Sequence, residues 1–330
     1  MSVETIAPGS PSKAPANPWV RYGIRRFGRL LGSLWVLVTA SFLMLHLIPG
    51  DPVRGALGPT APAELVEARR EALGFNDPIF DQYLAYLKRL FTGDFGTSLG
   101  SQLPVADILA QRLPATLTLA AFAFLTAVVI AIPLGVTMGV LTRRGRGRRA
   151  ELAFTTGSVV VATIPDFLIG VALVYLFGIR LELLPVAGND TAAAHLLPVL
   201  SLAIGPAAVL ARIVRVEMAA VLEADYVRTA KAKRLPARKI YLGHALPNAV
   251  TASLTLGGLL LGALVTGTVL VENVFAWPGL GSTIVQSILT KDYPVVQGIV
   301  LVYGLGVLLI NLVVDVALAL LDPRSKIREV

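Results

Sequence analysis

Residues Glu217–Asn248 read EMAAVLEADYVRTAKAKRLPARKIYLGHALPN, a polar and basic stretch between two strongly apolar runs. Six basic residues, Arg228, Lys231, Lys233, Arg234, Arg238 and Lys239, face three acidic ones, Glu217, Glu223 and Asp225. An excess of Lys and Arg beside apolar spans marks the cytoplasmic side of a membrane protein. Alanine, leucine and charged residues favour helix. Arg228, Lys231, Arg234 and Arg238 follow at steps of three, three and four, the spacing of a basic row on one helix face. Pro236 interrupts the pattern. The spacing therefore predicts a short helix, a turn at Leu235 and Pro236, and a second short helix through Ile240 and Leu246 before the membrane resumes. Such a segment is either a solvated loop that fixes topology or the handle by which a cytoplasmic partner grips the spans.

Composition supports a membrane setting. Of 330 residues, 55% are apolar and only 15% charged, and the mean hydropathy of +0.72 is far too high for an ordinary soluble chain. A net charge of +8 raises nucleic acid as a partner. The basic residues, however, collect in short segments beside apolar runs instead of forming one stripe, so positive-inside topology accounts for them and nucleic acid is set aside. There are no cysteines, which excludes disulfides, thiolate metal sites and thiol catalysis.

In chain order, residues 1–18, rich in Ser, Ala and Pro, read as a disordered cytoplasmic tail. Residues 19–29 place Arg21, Arg25 and Arg29 on one face and Ile24 and Phe27 on another, an amphipathic segment suited to the membrane interface. It leads into a first span at 30–48. Pro49-Gly50-Asp51-Pro52 ends that helix. Residues 49–113 then form an extracytoplasmic region with helical pattern at 63–73 and 82–90, six basic residues and eight acidic ones. The core, 114–330, carries five further spans: Pro114–Leu141, Glu151–Phe177, Leu196–Ile213, Ala249–Val271 and Val295–Leu321. Between the first two of these lies an arginine-rich turn, residues 142–150, which places that end in the cytoplasm. Gly257, Gly258, Gly262 and Gly267 of the fifth span are expected to let helices approach closely, and Gly205-Pro206 to bend the fourth. The architecture is thus an all-α integral membrane protein with six transmembrane helices and a partly helical extracytoplasmic insertion after the first.

Two side chains lie deep within spans. Asp166, after Pro165 in the third, is the candidate for the translocation path, since an ionisable group at that depth faces protein or water. It either attracts a cationic group such as a peptide ammonium or pairs with a neighbouring helix or subunit. Asp315 in the last span reads as a structural pair. Trp277 in the loop after the fifth span is expected at headgroup level as an aromatic anchor.

Asp225-Tyr-Val-Arg-Thr-Ala-Lys-Ala-Lys233 resembles the cytoplasmic EAA coupling loop of bacterial ABC importer permeases, in the version of the dipeptide and oligopeptide branch. The motif's Glu-Ala-Ala triplet, its glycine four residues on and its later Leu-Pro fall on Arg228-Thr229-Ala230, on Arg234 and on Leu246-Pro247. Arg234 in place of the glycine weighs against a tight, backbone-close turn, because Gly tolerates left-handed torsions that Arg does not. Ala72-Leu-Gly-Phe-Asn-Asp-Pro78, Gly93-Asp-Phe-Gly-Thr-Ser98, Arg112-Leu-Pro-Ala-Thr-Leu117 and Glu272-Asn-Val-Phe-Ala-Trp-Pro-Gly-Leu-Gly281 resemble outer regions of the same branch, so the similarity runs from about Arg25 to Arg324.

The resemblance implies a type I ABC importer permease fold in a bacterial cell (inner) membrane, with both termini cytoplasmic. It implies ATPase-coupling roles for Asp225, Tyr226, Arg228, Thr229, Ala230, Lys231, Ala232, Arg234, Leu235, His244 and Leu246. It also implies a second, homologous permease as heterodimer partner, one or two ATP-binding subunits and an extracytoplasmic solute-binding protein. No cofactor is expected here. The chain has no Gly-x-x-x-x-Gly-Lys-Ser/Thr loop, so ATP and Mg belong to the partner ATPase. His46, His195 and His244 are scattered over both sides and form neither triad nor metal cluster, so no enzyme activity and no metal site is expected. The alternative is an ion-coupled secondary transporter or channel, which predicts ion relays and often an internal repeat.

Overall fold

The structure, a computed structural model, describes residues 18–47, 52–58, 60–72, 74–145 and 147–321. The expectations for the tail up to residue 17, for the Pro49-Gly50-Asp51 stop and for the Asp322–Arg324 end lie outside these residues. Every regular element described is helical: α1 (Pro18–Leu47), α2 (Pro52–Leu57), α3 (Ala63–Ala72), α4 (Ile79–Phe91), α5 (Val105–Thr142), α6 (Arg148–Thr163), α7 (Asp166–Leu173), α8 (Leu196–Val221), α9 (Asp225–Ala232), α10 (Leu246–Val274), α11 (Leu280–Leu289) and α12 (Tyr293–Leu321). Five helices are long and apolar enough to cross a bilayer. α6 and the stretch Asp166–Arg180, which is α7 and its π-helical continuation, are apolar enough to count together as a sixth, broken span, bent by 93° at residues 164–165.

That bend falls at Pro165, where a proline kink is expected, and it is a full break between two helices and not a kink within one. Pro165 has no N–H to donate, and it disfavours helix at Ile164 before it, whose backbone is extended at ψ 124°. Elsewhere proline yields. α5 runs through Pro114 and Pro133, beginning nine residues before the expected start, and α8 runs through Pro206 to Val221, more than two turns beyond its expected end. Packing of long apolar helices against one another carries them past a single lost hydrogen bond.

α5 and α8 form the axis of the bundle, α10 packs on both, α12 packs on α10, and α1 and α6 lie outside on α12 and α8. Between α5 and α8 the layer is built from small residues, Ala127, Ala131, Ala203, Ala207 and Ala211. A Cβ placed on Gly135 would lie 2.6 Å from the carbonyl oxygen of Ala211. Among the α10 glycines Gly258 is no less crowded, but by the side chain of Val314 and not by backbone, while Gly257, Gly262 and Gly267 meet only ordinary contacts.

Glu272, wholly buried near the end of α10, is the polar hub on the side away from Glu217–Asn248. Its Oε1 accepts from Thr116 Oγ1 of α5 at 2.7 Å, and its Oε2 from the N–H groups of Gly281 at 2.7 Å and Ser282 at 3.1 Å in the first turn of α11. Thr116 Oγ1 in turn accepts from the Leu280 N–H at 2.8 Å. A carboxylate at a helix N-terminus satisfies orphan donors and meets the favourable end of the dipole. Trp277, expected among lipid headgroups, is 1% exposed instead. Its indole N–H donates to the Ala115 carbonyl at 3.0 Å and its ring stands edge-on to His195 at 4.8 Å. The turn folds the tryptophan inward because a buried N–H acceptor waits on α5.

A second buried carboxylate, Asp292 before α12, ties down the loop after α4. It accepts from Ser98 Oγ, from Leu99 N–H at 3.0 Å and from Gly100 N–H at 3.3 Å. Arg26 and Asp315 join α1 to α12 as an ion pair.

Thr116→Val keeps the shape of residue 116 but leaves Glu272 one donor short. We expect a loss of about 1–3 kcal/mol, read as a lower unfolding midpoint of the detergent-solubilised protein, with Thr116→Ser near wild type.

Candidate coupling loop and translocation path

α9 begins after Leu222, Glu223 and Ala224 and ends at Ala232. It packs inward through Val227, 0% exposed, and Ala230, 6% exposed, against Met218, Leu222, Ile240, Ala245 and Ala249, with Val136 and Val140 of α5 alongside. Asp225, Tyr226, Arg228, Thr229 and Ala232 are exposed. The sequence-expected coupling residues therefore divide. Ala230 faces the spans, packed in the apolar cluster that holds α9 in position.

Arg234 is the instructive departure. The helix stops four residues before Pro236, because Leu235 N–H bonds the Ala230 carbonyl at 3.3 Å and Arg234 N–H bonds the Lys231 carbonyl at 2.9 Å, with Arg234 at φ 55°. These paired bonds define a Schellman cap whose left-handed position usually belongs to glycine. The tight turn that Arg234 weighs against is thus kept, at the cost of a left-handed torsion on a residue with a Cβ. Leu235 joins the same apolar cluster as Ala230, the contact that accompanies this cap. One correction follows for the basic row: Arg234 and Arg238 lie beyond the helix, so only Arg228 and Lys231 share it. Arg228 pairs with Asp225 at 3.2 Å on the surface, and Lys231 Nζ donates to the Leu222 carbonyl at 3.2 Å.

Burial lowers the Lys231 ammonium below its ordinary range, and Arg143, Arg144 and Arg228 push it the same way against Glu223. The arginine turn after α5 thus lies within electrostatic reach of α9. There Arg215 of α8 joins Glu151 of α6 as an ion pair and donates from Nε to Thr142 Oγ1 at 3.1 Å. The second predicted helix is a wide π-type turn, Lys239–Ala245, running directly into α10. His244 lies in that turn, its Nε2 buried without a hydrogen-bond partner among the described residues, and Leu246 begins α10.

Asp166 sits at the bend of the third span, as the first residue of α7. Its backbone carbonyl accepts from Ser201 Oγ at 2.6 Å, and its half-buried carboxylate has no hydrogen bond or ion pair among the described residues. A Cβ on Gly205 of α8 would lie 3.2 Å from Oδ1, and one on Gly267 of α10 would lie 3.8 Å from Oδ2. Two glycines thus leave room beside an unpaired charge. Among the described residues no other helix supplies a partner for the Asp166 carboxylate. The deep charge that sequence reasoning missed is Glu272, read as part of an outer loop; its place inside the apolar helix end, eight to ten residues before Leu-Gly-Ser, was the available signal.

Residues 131–327 match the family described as binding-protein-dependent transport system inner membrane component, and residues 19–120 match the N-terminal family of such membrane components. The glutathione transport system permease protein GsiC of Escherichia coli is 38% identical over 307 residues, 93% of this chain and 99% of that one. The protein of the same name from Shigella flexneri gives the same figures. Among solved structures, the MetNI methionine ABC transporter in inward-facing conformations is similar in fold, with a TM-score of 0.54 at 22% identity over 65% of this chain and 96% of that one. The chain belongs to the binding-protein-dependent transport system inner membrane components, as a multi-pass permease subunit of an ABC importer.

Proposed function

We propose that this permease carries small peptides or peptide-like solutes, and that the exposed face of α9 is where a separate ATPase drives it. The observation that carries the solute reading is the 38% identity to a glutathione permease along nearly the whole chain. Glutathione is a peptide with a free ammonium group, and the unpaired carboxylate of Asp166 at the bend between α6 and α7 is a complementary feature. In this reading Pro165 holds the break open and Asp166 faces the passing solute. A second, homologous permease completes the path, one or two ATP-binding subunits meet α9 from the cytoplasm, and an extracytoplasmic binding protein delivers the solute on the opposite side. ATP and Mg are bound by the ATPase, and both termini of this chain are cytoplasmic.

Coupling then works through packing. Tyr226, Arg228 and Thr229 contact the ATPase, while Val227, Ala230 and Leu235 transmit its movement to α5, α8 and α10. The spans shift as rigid bodies between inward-open and outward-open states, biased by nucleotide.

Three outcomes test this reading. Asp166→Asn should raise the apparent KM for uptake of a dipeptide with a free N-terminus by about tenfold or more, the value of a hydrogen bond to a charged group, and leave an N-acetylated dipeptide unaffected; an unchanged KM removes Asp166 from the path. Tyr226→Ala combined with Thr229→Glu should weaken co-purification of the ATPase about tenfold or more while the permease itself remains folded. At the left-handed position, Arg234→Gly should preserve assembly and ATP-driven uptake. Arg234→Val, a β-branched residue at φ 55°, should lose roughly 1–2 kcal/mol and reduce both.

A further inference from the structure

We propose that α4 is an interfacial helix whose outer stripe lies among phospholipid acyl chains, and that the groove between α1, α4 and α12 receives one such chain. α4 is strongly two-sided. Tyr83, Tyr86 and Leu90 turn toward α1, where Phe42 meets Tyr83 at 5.2 Å and Tyr86 at 5.6 Å between ring centres, and Thr39 Oγ1 hydrogen-bonds the Tyr83 hydroxyl at 2.8 Å. Phe80, Leu84, Leu87 and Phe91, spaced by four, three and four, form the other apolar stripe. Phe80 is 67% exposed, Leu84 47% and Phe91 91%. In water such a row of large side chains has no physical justification, whereas at a bilayer surface it is the expected insertion face of a monotopic helix.

The neighbours of the stripe identify its occupant. Beside α4 runs a groove of about 250 Å³ lined by Leu34 and Val38 of α1, Leu87 and Leu90 of α4, and Leu301 and Leu305 of α12, with no polar side chain in its wall. α1 and α12 are membrane spans. Around the groove they expose Trp35 at 63%, Val36 at 58% and Leu309 at 47%, so its walls continue the surface that these spans present to lipid. The last turn of α4 adds Lys88 and Arg89. Lys88 is exposed on the flank of the stripe, where its stem can follow the apolar face and its ammonium can reach the headgroup phosphate. At 1.5 Å per residue α4, Ile79–Phe91, is about 20 Å long, enough to lay about one turn of apolar contact before Leu84 and about two after it. The leaflet concerned is the one away from Glu217–Asn248, because α4 packs on the end of α1 that leads into the insertion.

The absence of cysteine makes the test direct. Single cysteines at Phe80, Leu84, Phe91, Asp81 and Lys88 of the full chain, purified with its co-assembling subunits, carry a nitroxide label in phosphatidylethanolamine and phosphatidylglycerol bilayers. Collision with oxygen, which partitions into acyl chains, is compared with collision with a water-soluble nickel chelate. The expected result is an oxygen-to-nickel ratio several-fold higher at 80, 84 and 91 than at 81 and 88. Nickel access at 84 and 91 equal to that at 81 overturns the proposal, and so does exclusion of both reagents, which would mean that a protein subunit covers α4. For the groove, native mass spectrometry of the same complex should show a retained phospholipid that is lost in Leu305→Trp, a substitution at an exposed position that fills the groove. Equal retention in the two proteins overturns the acyl-chain site even if α4 lies in the interface.

Discussion

A carboxylate with no exposure to solvent organises one end of this molecule. Glu272 takes one hydroxyl and two backbone N–H groups, and in doing so fixes the end of α10, the start of α11 and the flank of α5 at a single point. Removing a carboxylate from water is costly unless its oxygens are fully hydrogen-bonded, and here both oxygens are. The arrangement therefore demands each of its donors: α11 must begin where it does, Thr116 must face inward, and the intervening turn must be tight enough to send Trp277 back to Ala115. Asp292 repeats the device between α11 and the loop at Ser98–Gly100. Two buried acids thus attach the segments on this side to the spans, where apolar packing alone would leave their register free.

Hydropathy and charge made the spans legible, because a bilayer demands about twenty apolar residues and leaves charge to mark the ends. Two helices of the insertion, α3 and α4, were readable from their own periodicity, whereas α2 and the early start of α5 were not. What periodicity could not reveal was which residues meet across the bundle. Trp277 has the same local sequence whether its indole rests among headgroups or finds the Ala115 carbonyl, 162 residues away. Glu272 likewise looks like any polar residue after an apolar run. The proline positions were ambiguous for a related reason: Pro114, Pro133 and Pro206 are absorbed by long helices held on both sides, while Pro165 coincides with a 93° turn.

The candidate coupling loop was legible as a unit but not in its faces. Its composition promised helix, and helix is present, but the stop is set by a cap at Arg234 rather than by Pro236. Extending the row of basic residues beyond that cap counted charges that belong to the following turn. The same cap requires a small residue at Ala230: the last turn of α9 has to lie flat on Met218 and Ala249 before Leu235 can close over it.

The approach at Gly135 has a mechanical meaning. Where the α5 backbone lies against the Ala211 carbonyl there is no long side chain to change rotamer and absorb a displacement, so the two helices behave as one stiff beam. Met218, under α9, and Gly205, beside Asp166, are on the same helix and 13 residues apart, about 20 Å at helical rise. A tilt imposed at one end of this beam reaches the other with little slack, and the 93° elbow of the third span, packed on α8 but broken at its own middle, is the joint at which that tilt becomes a change in shape.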